Sequence, residues 1–131
     1  LGMSPDGARP IDIDTLLPAA CQGIVAIECR ADDAALRADL GQLNDRLALT
    51  AAEAERAALA QLDGSCRTPI GALATVEDGT IDLRLLVASL DGSQVFRARR
   101  SGSADEAYAL GAEAGALLRR EVPERLFAEM A

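Results

Sequence analysis

Three thiols carry the chemistry that this sequence can offer by itself, and their surroundings differ. Cys66 stands in Leu62-Asp63-Gly64-Ser65-Cys66-Arg67-Thr68-Pro69-Ile70-Gly71, on a loop that follows a helix-forming stretch. Small neighbours leave a thiol open to approach, and the adjacent Arg67 favours its thiolate. The helix end before it presents the negative pole of the helix dipole and works the other way. On local features alone an isolated Cys is more often packed than reactive. Cys29 closes an apolar run and reads as core filler, while Cys21 precedes Gln22-Gly23 in a loop, where it either borders a site or packs. The spacings give neither a zinc pattern nor a Cys-X-X-Cys redox pair.

Composition excludes most other chemistry. The 131 residues contain no His, and all 13 basic residues are Arg. Without His a self-contained Ser-His-Asp or Cys-His site is absent. Without Lys there is no Schiff base and no phosphate loop ending in Gly-Lys. A net charge of -8 argues against a nucleic-acid partner, because a phosphate backbone selects a basic surface. The carboxylates have local explanations: Asp32 and Asp33 as helix caps, Asp78 and Asp91 as turn residues, Glu53, Glu55 and Arg56 as a cap and surface pairs on a helix. Arg99-Arg100 and Arg119-Arg120 read as solvated faces. No apolar run approaches the roughly 18 residues that span a membrane, so no membrane partner is expected. With no signal-peptide pattern and an odd number of cysteines, the expectation is a reduced, cytoplasmic protein. The opening Leu1-Gly2-Met3 looks cut from something longer.

The elements that must position these residues follow from hydrophobic spacing and turn chemistry. Residues 1–20 are punctuated by Pro5, Gly7, Pro10 and Pro18, with Ile11 and Ile13 alternating with Asp12 and Asp14 in a short extended piece. Ile24 to Cys29 reads as a buried strand. Asp32 or Asp33 caps a helix whose Leu36, Leu40, Leu43 and Leu47 form one face, running to about residue 47. Thr50 and Glu53 fit a capping box for a second, Ala-rich helix that persists to Leu62, with Ala54, Ala58, Leu59 and Leu62 on its apolar side and Gly64 as its left-handed cap. Strands are expected over 68–76, 80–90 and 93–100, with two-residue turns at Asp78-Gly79 and Asp91-Gly92. In the middle strand Ile81, Leu83, Leu85 and Val87 share one face, and Asp82, Arg84, Leu86 and Ala88 the other. Ser103 and Glu106 fit a second capping box, starting a helix with Ala107, Leu110, Ala114 and Leu117 on its stripe. Leu126, Phe127 and Met130 suit a last short helical turn. The expected class is α+β, a three-stranded antiparallel sheet with helices on one face, preceded by the strand and helix end of an α/β domain.

Four stretches, in order and spacing, resemble the porphobilinogen deaminase (hydroxymethylbilane synthase) family. They are Leu17-Pro18-Ala19-Ala20-Cys21-Gln22-Gly23, Ile27-Glu28-Cys29-Arg30, Ala54-Glu55-Arg56-Ala57 and the Cys66 segment quoted above. Asp91-Gly92 and Gly111 fit as well. The Cys66 segment is the most specific. The resemblance covers nearly the whole chain, to about Arg120, and implies the C-terminal portion of the enzyme. Residues 1–47 would be the end of its second domain and 48–131 its third. It implies that Cys66 forms a thioether to a dipyrromethane cofactor, that Gln22 and Gly23 border the cofactor-binding cleft, and that porphobilinogen is the substrate of the full enzyme. There four units are joined into hydroxymethylbilane in tetrapyrrole and haem biosynthesis. It also implies that the catalytic groups lie in domains upstream of Leu1, as partners of this segment, so the segment alone is inactive and carries no cofactor. The chain departs from the family at Cys21 and Ser65, where Gly is usual, and at Glu121-Val122, where Gly-Ala is usual. The competing reading is a non-catalytic α+β binding or dimerisation module, using Leu86, Ala88 and Leu90 on the open sheet face.

Overall fold

The computed structural model describes residues 6–63 and 68–130. Its elements are α1 (Ala34–Gly41), α2 (Arg46–Gln61), β1 (Ile70–Glu77), β2 (Thr80–Ala88), β3 (Val95–Ser103), a 3-10 turn (Ala104–Glu106), α3 (Ala107–Glu121) and α4 (Glu124–Met130). The strands form one antiparallel sheet in the order β1-β2-β3. Asp78 and Gly79, both at positive φ, make the two-residue turn that this dipeptide favours. Asp91-Gly92 does not. Here six residues, 89 to 94, separate the strands. The Asp91 carboxylate accepts from the Ser89 and Ser93 hydroxyls and the Ser93 N–H, closing the loop through side chains.

The alternation in β2 places Ile81, Leu83, Leu85 and Val87 inside, all at most 2% exposed, facing Ala72 and Ala74 of β1 and Ala98 of β3. Helices α2 and α3 cover that face. They approach each other through small residues. A Cβ built on Gly111 would overlap the backbone of Ala54, and one on Gly115 would lie 2.5 Å from the carbonyl oxygen of Ala58. Glycine inside a helix costs about 1 kcal/mol against alanine, and here it lets two backbones meet. The buried stripe of α3 is therefore Ala107, Gly111, Ala114, Gly115 and Leu118. The expected stripe is turned by about one position, because Leu110 and Leu117 only flank the core. Leu110 packs onto Gly102 of β3.

The N-terminal half departs from expectation. Ile24 to Cys29 forms no strand: Val25 is 87% exposed and Ile27 59%. A strand exists only against a partner ladder, and none pairs with this run among the described residues. The single helix expected to reach residue 47 is broken. Asp33 caps α1 through its bond from Leu36 N–H, and α1 ends at Gly41. Asp45 then caps α2 by accepting from Leu47 and Ala48 N–H, at 2.9 and 3.0 Å. An Asp this well placed outcompetes a leucine stripe that is largely exposed: Leu43 is 73% exposed and Leu47 59%. Thr50 thus lies within α2, its hydroxyl donating to the Arg46 carbonyl, and the capping box expected there does not form. Ser103 does cap, accepting from Asp105 N–H, but the turn it opens is 3-10 and α3 begins only at Ala107.

Candidate functional site

The segment Leu17 to Gly23 is held against the three-stranded unit by contacts that its sequence did not advertise. Ala72 N–H of β1 donates to Pro18 O at 2.9 Å. The bare Cα of Gly71 allows this, since a Cβ there would meet Leu17 O at 3.0 Å. Two successive turns follow. Gln22 N–H donates to Ala19 O and Ile24 N–H to Cys21 O, both at 3.1 Å. Each turn has its third residue at positive φ, Cys21 at 60° and Gly23 at 83°. Such turns call for Gly at that position. Gly23 meets the demand freely, and Cys21 adopts it under strain.

Glu55 anchors the first turn. Read from sequence as a surface residue, it is 3% exposed and accepts from Cys21 N–H at 2.5 Å and Ala74 N–H at 2.7 Å. The signal was there in its position: Glu55 follows Ala51 by four residues and precedes Ala58 by three, on the buried side of α2. Burial raises the Cys21 thiol above its ordinary pKa, and the Glu55 carboxylate adds to the effect. Cys21 is thus a packed, protonated thiol at neutral pH. Cys29 is half-buried on an irregular segment, not core filler on a strand.

Between the first turn and α2 runs an open groove lined by Ala20, Cys21, Arg56, Leu59, Ala60 and Asp63. Among the described residues its lining mixes the apolar Ala20, Leu59 and Ala60 with the Cys21 thiol, the Arg56 guanidinium and the Asp63 carboxylate. Asp63, at φ 50°, takes the left-handed conformation one residue past the cap of α2. Three residues further on comes Cys66. It lies outside the described residues, with Gly64, Ser65 and Arg67. Gln22 and Gly23 are exposed beside the groove, at the second turn. Among the described residues no group of three or more His, Cys, Asp or Glu can hold a metal ion. No helix is long and apolar enough to cross a membrane.

Residues 49–120 match the family model described as "Porphobilinogen deaminase, C-terminal domain". That stretch covers nearly all of α2, the whole sheet and all but the last residue of α3. The porphobilinogen deaminase of Nitrobacter winogradskyi is 42% identical over 127 residues, covering 97% of this chain and 40% of that protein. The one from Mycolicibacterium gilvum is 44% identical over 131 aligned residues, covering 89% and 42%. The one from Geobacillus kaustophilus is 43% identical over 108 residues, covering 82% and 34%. The chain thus spans about 40% of the length of such relatives. It belongs to the porphobilinogen deaminase family, whose C-terminal domain its sheet and paired helices make up.

Proposed function

We propose that this chain is the cofactor-anchoring C-terminal part of a deaminase that joins four porphobilinogen units into hydroxymethylbilane, with Cys66 as the tether of a dipyrromethane cofactor. The observation that carries the reading is the family match over 49–120, which contains the Cys66 segment. In this reading residues 1–47 end the second domain and 48–131 form the third. The apolar run 24–29, exposed here, would then pair with strands of the upstream part. The free thiols Cys21 and Cys29 suit a reducing, cytoplasmic setting.

The roles within this chain follow from residue chemistry. Cys66 holds the cofactor covalently and transfers no proton. When bound, dipyrromethane supplies the pyrrole carbon to which substrate units are added. Arg56 offers a guanidinium to a cofactor carboxylate, and Ala20, Leu59 and Ala60 offer an apolar wall. Gln22 and Gly23 border the cleft. In this reading the groups that drive condensation belong to the upstream domains, so the isolated segment is inactive and unloaded.

The test is a chimera in which this chain replaces the corresponding C-terminal part of the Nitrobacter winogradskyi relative. The chimera should gain the mass of a dipyrromethane and turn over porphobilinogen, while its Cys66→Ser variant should do neither. Full loading and activity in Cys66→Ser would overturn the tether. Turnover by the isolated chain would overturn its inactivity.

A further inference from the structure

The sheet face opposite the helices carries a second feature, independent of the deaminase reading. Residues 11–17 cross this face, and beneath them lies a cleft of about 350 Å³. Its walls are Ile13, Leu17 and Leu86, and its floor presents Arg84, Arg97 and Arg99. The strand register produces the cluster: Arg84 lies opposite Arg99, and Leu86 opposite Arg97. Arg97 and Arg99, two apart on one strand, project from the same side about 7 Å apart.

Three guanidiniums on adjacent positions repel one another unless anions lie between them. Two carboxylates do. Asp82 accepts from Arg99 Nε at 2.6 Å and Arg84 Nε at 3.2 Å. Asp14, from the crossing segment, accepts from an Arg84 terminal nitrogen at 2.6 Å. Arg97 makes no ion pair or hydrogen bond among the described residues. In a chain of net charge -8, this cleft holds an excess of positive charge. Asp82 is 19% exposed and well seated, whereas Asp14 is 79% exposed. An exposed pair of that kind is weak and exchanges readily with solution anions.

We infer that this cleft binds small polycarboxylates, with Asp14 as the resident occupant that a ligand carboxylate displaces from Arg84. A second ligand carboxylate then meets Arg97, and the apolar walls take the carbon skeleton between them. The paired N–H groups of a guanidinium suit a carboxylate better than a point charge would.

The test is citrate titration of the 131-residue chain at constant ionic strength, followed by backbone amide NMR shifts of β2 and β3. Binding should saturate and centre on Arg84, Arg97 and Arg99. Arg97→Ala should weaken it at least ~5-fold. Arg120→Ala, which removes the same charge from the helical layer, should leave it unchanged. Asp14→Asn should tighten it ~3-fold or more, by emptying the site beforehand. All three residues are exposed, and thermal melts are the check that each variant folds. No saturation, or equal losses in Arg97→Ala and Arg120→Ala, would overturn the site. An unchanged or weaker affinity in Asp14→Asn would overturn the displacement. Inorganic phosphate binding as tightly as citrate would overturn the carboxylate assignment.

Discussion

The carboxylate of Glu55 bridges two backbone N–H groups that belong to different parts of the chain, Cys21 at 2.5 Å and Ala74 at 2.7 Å. One buried side chain on α2 therefore fastens the turn beside the groove to the first strand of the sheet. Both donors depend on it, since Cys21 N–H has no other acceptor among the described residues and Ala74 N–H, like Ala72 N–H two residues earlier, lies on the edge of β1 away from β2.

Removing Glu55 should be costly for that reason. Glu55→Ala leaves two donors without their charged acceptor, the Ala74 N–H buried and the Cys21 N–H partly so, a loss of about 3 kcal/mol. Glu55→Gln keeps one acceptor oxygen but turns an amide N–H toward the other donor, and should recover only part of the loss. Urea unfolding of the three proteins gives the values. Equal midpoints for wild type and Glu55→Ala would show that the bridge contributes nothing.

Gly111→Ala sets two effects against each other. Helix propensity gains about 1 kcal/mol. Against it, the new methyl overlaps the backbone of Ala54, which cannot rotate away as a side chain tip can. Overpacking of a core costs about 1–3 kcal/mol, and a rigid neighbour puts this site at the upper end. The variant should melt lower than wild type, in a thermal scan followed by circular dichroism. A higher melting temperature would mean that α2 and α3 separate easily.

The sheet was legible in the sequence because strand alternation and the Asp78-Gly79 turn are local signals with few alternatives. The rank of Ile81, Leu83, Leu85 and Val87 needed only a period of two. The helix boundaries were less so: Thr50 with Glu53 and Asp45 with Ala48 are rival caps, and only the packing of α2 decides between them. Glu55 was misread because a glutamate is normally solvated, and its two acceptors' partners are 34 and 19 residues away. Ile24 to Cys29 has the composition of a strand, but a strand is a property of a pair. The grouping of Gln22, Gly23 and Cys66 rests on resemblance alone, since they share no periodicity that would join them.

Cys21 supplies a test of backbone strain. At φ 60° a β-branched side chain is disfavoured more than an unbranched one, and Gly is not disfavoured at all. Cys21→Val should lose about 1–2 kcal/mol. Cys21→Gly should stay within about 1 kcal/mol of wild type, because relief of strain offsets the greater freedom of the unfolded chain. Paired urea titrations measure both. If Val were tolerated as well as Gly, the turn would not hold its left-handed residue in solution.

The same thiol has a pH signature. Burial and Glu55 hold the Cys21 pKa above its ordinary value of 9.0, so the folded state favours the protonated form. Its contribution to stability is complete below that ordinary value and fades as pH rises through the folded pKa. In a Cys29→Ser, Cys66→Ser background, iodoacetamide should modify Cys21 more slowly than it modifies glutathione at pH 8, and the rate should still be rising above pH 9. A rate equal to that of glutathione would show that the turn opens freely.

Asp91 works in the opposite sense. The Ser89 hydroxyl, then the Ser93 N–H and hydroxyl, lower its carboxyl from 3.8 to about 2. The folded state thus favours the ionised form, and the resulting stability is present above the unfolded value near 3.8 and lost as pH falls through about 2. Asp91→Asn removes the titration while keeping an oxygen acceptor for the loop. The urea midpoint of the wild type should therefore fall more steeply between pH 4 and pH 2 than that of Asp91→Asn, with the two slopes alike above pH 5. Parallel curves over the acid range would mean that the loop bonds to Ser89 and Ser93 are exchanged for water in solution.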